Sequence, residues 1–403
     1  MSFWRRLVIA LIIVSLIGNV FIALAAAAIT VRSGPTLVWE RFTSPREAFR
    51  LWTIGPLEPA ALPYPQSPTL AFNSEQIDTR EAFYTWRSKV LDEYQVMLRG
   101  DWIGWDKPFS GISSQKVISR GSTVNRLQIT RLELPSTLID DNIIVYKIDP
   151  FAHRNQANNK ESPTSAVIVI PGTSVEGVAG VMGWVSDYHE GAAIALAQAG
   201  YLVYAVQLFG DGERSMHTGS IGRRGFTATQ VLERQGHLWN KPLEGLYLKE
   251  LSLVVDHIQS EGEVSGCLAA FGTSRGGRLA YQLAAFREEI DTVIVDNGLN
   301  DLDTVFEPLS DLAFSPGMYQ LFRHSDVAAT VAPGPMLITS DERDGKAIGA
   351  PIAMARLQTA YQLFDNQENL VFSLHQRGHT WQPRTTIDFL RRHCPQHSSS
   401  DQP

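Results

Sequence analysis

Ser274 lies in Gly272-Thr273-Ser274-Arg275-Gly276-Gly277, directly after the apolar run Leu268–Phe271. The pattern G-x-S-x-G suits a sharp strand-to-helix turn that lifts a serine hydroxyl above a sheet. Strand and helix approach so closely there that only small residues fit two before and two after the serine, the positions of Gly272 and Gly276. The following helix would aim its positive end at the place where an oxyanion forms. A Gly-rich turn with a chance serine has the same letters. The flanking strand and helix patterns favour the nucleophile.

A nucleophilic serine needs a base and an orienting acid. His379 follows a glycine in the loop past the last apolar run, Leu370–Leu374, and precedes the last helical stretch. From there it can take the Ser274 proton and return it to the leaving group. His375 competes but sits where the strand ends. The run Met336–Thr339 leads into Ser340-Asp341-Glu342-Arg343-Asp344-Gly345, so three acids precede His379 in the order Ser, acid, His. An offset of several residues beyond the strand favours Asp344, with Asp341 the alternative. The oxyanion hole is expected to combine the backbone N–H of Arg275 with that of Thr173, which follows Pro171-Gly172 at the end of another strand. Glu213 and Arg214, in a glycine-marked loop after Tyr201–Val206, read as a structural ion pair rather than as catalysts.

The elements that must position these residues alternate. Continuous apolar runs at 166–170, 201–206, 268–271, 292–295, 336–339 and 370–374 read as strands buried on both faces. Helical stretches at about 188–199, 246–259, 277–286, 351–364 and 383–392 lie between them. The fold class is therefore α/β, a mostly parallel central sheet flanked by helices, with its active site at the carboxyl ends of the strands. Ahead of it, residues 76–160 hold a helix (Phe83, Trp86, Val90, Tyr94 and Met97 on its apolar face) and antiparallel strands, closed by a polar loop at 155–162. Residues 301–332 are apolar enough to be either a cap over an acyl pocket or ordinary helices on the sheet. Residues 394–403 read as a disordered tail.

The amino-terminal end differs in kind. Arg5 and Arg6 precede an uncharged apolar run from Leu7 to about Val31. A run longer than about 18 apolar residues can span a bilayer as a helix, whereas a secretory signal's apolar region is nearer 7–15. Residues 1–31 are thus expected to be an uncleaved anchor, although Ala25–Ala28 keeps cleavage open. The arginines place this end in the cytoplasm and the rest outside, periplasmic or extracellular. Residues 32–75 carry seven prolines and read as an extended tether before a hydrolytic domain over 76–393.

Composition narrows the function classes. The 403 residues are 44% hydrophobic and 19% charged, with a net charge of −7 and no basic stripe, so nucleic acid is not an expected partner. Neither Cys267 nor Cys394 has metal-type spacing around it. The reading favours free thiols over a disulfide.

Several of these motifs resemble a known group. Gly210-Asp211-Gly212-Glu213-Arg214, the Gly272–Gly277 turn, Pro316-Gly317-Met318 ahead of Pro333-Gly334-Pro335-Met336-Leu337, and Gly378-His379-Thr380-Trp381 follow the order of bacterial α/β-hydrolases of the acetyl xylan esterase and dienelactone hydrolase group. The resemblance covers roughly residues 110–393. It implies the α/β-hydrolase fold and a cofactor-free ester hydrolase, acting on a small-molecule or carbohydrate ester, with Ser274, Asp344 and His379 as its triad. The group usually has a glycine where Asp341 stands, and the anchor and tether are not typical of it. A peptidase of the prolyl-oligopeptidase type is the alternative enzyme, although residues 32–110 are too short for a propeller. A non-catalytic envelope binding protein that kept the fold is the alternative outside enzymes.

Overall fold

Within each parallel strand except the last, at 370–375, which is only part-buried and exposes Leu374, successive side chains are buried on opposite faces. In the strand at 166–170, Ala166, Ile168 and Ile170 join one apolar cluster, while Val167 and Val169 join the other. The alternation follows from the pleat, and the absence of any polar side chain along it means that helices cover both faces. The computed structural model describes residues 68–118, 127–150, 164–215, 228–301, 317–342, 344 and 349–396. The apolar run at 1–31, nearly all of the tether, the loop at 155–162 and residues 302–316 lie outside them, as does the tail beyond 396.

Nine strands form one sheet in the order β1-β2-β3-β5-β4-β6-β7-β8-β9. They are β1 (Ser114–Ile118), β2 (Gln128–Pro135), β3 (Asn142–Asp149), β4 (Ala166–Ile170), β5 (Leu202–Gln207), β6 (Leu268–Thr273), β7 (Thr292–Asp296), β8 (Met336–Asp341) and β9 (Leu370–His375). The first three pair antiparallel, and β3 continues antiparallel onto β5. From β5 to β9 every pairing is parallel. The chain adds β5 on one side of β4 and then β6 on the other. Such a reversal opens a crevice at the strands' carboxyl ends, and the loops after β4 and β6 border it.

The helices are α1 (Arg80–Arg99), α2 (Val178–Val181), α3 (Ala192–Gln198), α4 (Ala228–Leu238), α5 (Leu243–Glu261), α6 (Arg275–Phe286), α7 (Met318–Leu321), α8 (His324–Ala329), α9 (Ala350–Gln362) and α10 (Pro383–His393). Helix α1 starts at Arg80 because Thr79 caps it, its hydroxyl accepting from the Ala82 N–H at 3.1 Å. Its buried face is Phe83, Trp86, Val90, Tyr94 and Leu98, so Leu98 takes the place expected for Met97. Helices α1, α5, α6, α8 and α9 contribute to the cluster on one face of the sheet, and α3 and α10 to that on the other. The described part of the 301–332 segment is interior: Met318, Phe322, Val327, Ala328 and Ala329 are buried in the larger cluster, and Phe322 meets the Tyr94 ring edge-on at 5.4 Å.

The two cysteines correct the reading of free thiols. Cys267, just before β6, is disulfide-bonded to Cys394, which ends α10, with their Cα atoms 5.2 Å apart. Sequence could not show this because 127 residues separate them and only the packing of α10 brings them together. Replacing both with serine is expected to lower unfolding free energy by about 2–5 kcal/mol in urea titrations. Equal stability of the double variant, or of the reduced protein, contradicts this.

Candidate active site

Ser274 sits between β6 and α6 with φ 59° and ψ −122°. A non-glycine residue in that region typically costs about 1–3 kcal/mol, so the surroundings must hold it there. The Ser274 N–H donates to the Asp296 carbonyl at 2.7 Å, and the Arg278 N–H donates to the Ser274 carbonyl at 3.2 Å. The flanking glycines are obligatory on steric grounds. A Cβ at Gly272 would lie 2.1 Å from the Gly276 carbonyl oxygen, and one at Gly276 would lie 2.0 Å from that of Ile170. Gly276→Ala must therefore push α6 away from β4. We expect it to destabilise the fold by about 3 kcal/mol or more in chemical denaturation; a stability within experimental error of the parent contradicts this geometry.

The base and acid expected from sequence are adjacent. His379 Nδ1 and Asp344 Oδ2 are 2.5 Å apart, with side chains 27% and 15% exposed. With Asp344 ionised, this bond places the imidazole proton on Nδ1 and leaves Nε2 as the basic nitrogen. Ser274 Oγ and His379 are not hydrogen-bonded to each other, and such bonds are commonly long before substrate binds. The Tyr188 ring lies beside His379, the two ring centroids 5.3 Å apart.

Asp341 has a different place. It is fully buried at the end of β8, paired with His375 Nδ1 at 3.3 Å, and accepts the Gly378 N–H at 2.5 Å. It therefore braces the turn that carries His379 without touching that imidazole. Burial lowers the pKa of His375, opposed by Asp341. Glu342 accepts from Gln376 at the surface.

The loop after β4 lies against Ser274. A Cβ at Gly172 would come within 3.0 Å of Ser274 Cβ and 2.6 Å of the Thr273 carbonyl oxygen, so only glycine fits. The Arg275 guanidinium reaches back to the Gly172 carbonyl at 3.2 Å, pairs with Asp211, and stands over the Tyr247 ring at 5.2 Å. Asp211 also accepts from Thr229 Oγ1 at 2.9 Å. The loop 207–215 is thus tied to the elbow by a buried ion pair, a link that sequence alone did not reveal.

Glu213 and Arg214 are structural, but they do not pair with each other. Glu213 accepts from Arg131 and from the Tyr146 hydroxyl at 2.7 Å. Arg214 is buried and forks onto Glu250 at 2.7 and 2.9 Å, with Asp141 at 2.9 Å. Neighbours in sequence point to opposite sides of the loop, which spacing could not show.

Two further features escaped the sequence reading. Burial pushes the Asp296 carboxyl up to about 6, opposed by the hydrogen bond from Thr339 and by the charge of His379. The fold thus favours the protonated acid relative to its ordinary value of 3.8. The stability this contributes is present below about pH 4 and is lost as pH rises to about 6. Asp296→Asn should remove that part of the slope of unfolding free energy against pH, and an unchanged slope contradicts it. The second feature is Asp187-Tyr188-His189, which the sequence pattern placed in a helix from Tyr188. Helix α3 starts only at Ala192, and these three side chains pack on the Gly172 loop. The spacing Asp-x-His was their one signal in the sequence. Among the described residues no group of three or more His, Cys, Asp or Glu is placed to hold a metal ion.

No family model and no curated protein sequence matches the chain. Solved structures do match it over most of its length. A candidate acetyl xylan esterase from Bacteroides fragilis is 14% identical with a TM-score of 0.65, covering 87% of this chain and 95% of that one. A methylesterase is 17% identical with a TM-score of 0.58, covering 80% and 67%. A glucuronoyl esterase from Solibacter usitatus is 14% identical with a TM-score of 0.55, covering 81% and 97%. At such identities the likeness is one of fold. The chain has the α/β-hydrolase fold, with the strained serine turn after the strand that crosses beside β4 and the His–acid pair on the loops after β8 and β9.

Proposed function

We propose that this chain is a serine hydrolase that cleaves carboxylic esters. The observation that carries the reading is Ser274, held at positive φ between β6 and α6, in a fold that also joins His379 to Asp344 at 2.5 Å. In the proposed cycle His379 Nε2 takes the Ser274 proton as Oγ attacks the ester carbonyl. The tetrahedral oxyanion is held by the backbone N–H groups of Arg275 and Thr173. The imidazolium protonates the departing alcohol, leaving an acyl-serine. Water activated by the same imidazole then releases the acid. Arg275 contributes its backbone to the hole and its side chain to the Gly172–Asp211 link.

The substrate proposed is a small-molecule or carbohydrate ester. The structural neighbours named above are esterases by name, two of them directed at sugar esters, and this motivates the choice. We propose further that residues 1–31 tether the chain to a membrane with the hydrolytic domain outside the cytoplasm. The apolar run supports the anchor. The Cys267–Cys394 bond supports the compartment, since disulfides persist where thiols are not kept reduced.

A panel of p-nitrophenyl esters from acetate to octanoate, with acetylated xylan and a methyl glucuronate ester beside it, tests the activity on the full chain. A fluorophosphonate probe tests the nucleophile. Hydrolysis together with labelling that Ser274→Ala abolishes is expected. No labelling of the wild type removes the enzyme reading in favour of a binding protein, and cleavage of peptides in preference to esters moves it to a peptidase.

A further inference from the structure

His189 is fully buried and forms a second His–carboxylate pair, Nδ1 to Asp187 Oδ2 at 2.8 Å. It has the composition of the His379–Asp344 pair but not its exposure. Its Nε2 faces the Gly172 N–H at 2.8 Å. A backbone N–H can only donate, so Nε2 must carry the lone pair and Nδ1 the proton. Asp187, as the Nδ1 acceptor, selects that tautomer. His189 therefore cannot serve as a base for an incoming substrate, because its basic nitrogen is occupied.

The neighbouring contacts act on the same few atoms. The Tyr188 hydroxyl donates to the Thr173 carbonyl at 2.8 Å. Its ring stacks on His189 at 4.0 Å between centroids. The Trp381 N–H donates to the Tyr188 carbonyl at 3.2 Å, joining this clamp to the loop that bears His379. Ser174 Oγ lies 3.4 Å from Asp187 Oδ2. Gly172 is thus held on both sides, the Pro171–Gly172 peptide through its N–H by His189 and the Gly172–Thr173 peptide, which carries the Thr173 N–H, through its carbonyl by Arg275. The next carbonyl, that of Thr173, is held by Tyr188. Fixing those peptide planes fixes the direction of the Thr173 N–H, the donor assigned above to the oxyanion.

We propose that His189 and Asp187 are positioning residues for ester hydrolysis, holding the Gly172–Thr173 loop in its oxyanion-binding shape by presenting the His189 Nε2 lone pair to the Gly172 N–H. The inference rests on the serine-hydrolase reading. Donors aimed in advance at developing charge act in the transition state and little in the ground state, so their misplacement lowers kcat more than it changes KM.

The test uses the full chain on p-nitrophenyl acetate, with a boronic acid as mimic of the tetrahedral state. His189→Ala and Asp187→Asn are each expected to lower kcat about 100-fold, the scale of one lost oxyanion donor, with KM within about threefold. Boronate binding should weaken by the same factor. Asp187→Asn matches the native side chain in size. It acts by donating to Nδ1, which turns an Nε2–H against the Gly172 N–H. His189→Gln supplies a carbonyl oxygen in place of Nε2 and needs no tautomer, so it should recover kcat to within about tenfold of wild type. In that background Asp187→Asn should then cost little, a non-additivity that loss of stability alone does not produce.

Asp187→Asn or His189→Ala with kcat within about threefold of wild type overturns the inference. So does a folded His189→Gln that is no better than His189→Ala. A wild type that neither hydrolyses esters nor takes up fluorophosphonate overturns the serine-hydrolase reading and the clamp with it. An active wild type indifferent to these substitutions overturns the clamp alone.

Discussion

Ser274→Ala is expected to lower kcat for ester hydrolysis by about 100,000-fold or more, leaving only the residual rate that binding and the oxyanion donors supply. The reason lies in the turn. At φ 59° the residue is held by the Asp296 carbonyl and by the entry of α6, and the side chain is only part-buried where strand and helix meet. Alanine keeps that backbone, so the fold should survive with near-parent stability while the nucleophilic oxygen is gone. The measurement is a single-turnover assay with matched urea unfolding curves. A variant that keeps even a hundredth of the rate means that another group attacks the ester. His379→Ala should fall to a similar level, and combining it with Ser274→Ala should cost little more, because the two residues act as one unit.

The second large effect separates the acids. Asp344→Asn is expected to lower kcat about 10,000-fold near neutral pH, because an amide can present an N–H to His379 Nδ1 and leave the wrong nitrogen protonated. Asp341→Asn should behave differently. It alters a buried acceptor of the Gly378 N–H and the pairing with His375, so its main cost is stability, about 1–3 kcal/mol, with a smaller loss of rate. Measuring kcat and unfolding free energy for both variants decides between them. Comparable losses of kcat, or the larger loss in Asp341→Asn, assign the catalytic acid to Asp341 instead.

Much of the framework was legible from local pattern. The six apolar runs from 166 to 374 all lie in parallel strands. Five of them are buried on both faces and must be apolar throughout, a demand visible without knowing the neighbours; the sixth, 370–374, is a part-buried edge strand that exposes Leu374. Of the five helices placed between the strands, four match α5, α6, α9 and α10 to within a few residues, and the exception lies around 188. There the chain spends Asp187, Tyr188 and His189 on side-chain bonds to the Gly172 loop before α3 begins at Ala192. Helix α4 was missed, because only Thr229 and Glu233 of it are buried and no apolar run marks its stretch.

By itself the sequence determined the α/β alternation, the serine turn with its two small flanking residues, and the chain order of serine, acid and histidine. These are local requirements. A strand buried on both faces needs apolar residues in succession, and a tight turn needs glycines at set offsets. The tertiary structure alone decided which partner each polar side chain takes: Asp344 beside His379 but Asp341 beside His375, Glu213 and Arg214 turned to separate partners, His189 spent on a backbone N–H, and Cys267 joined to Cys394. A hydrogen bond or ion pair depends on atoms coming within about 3 Å in a particular direction, and that closeness arises only when distant strands and helices pack together.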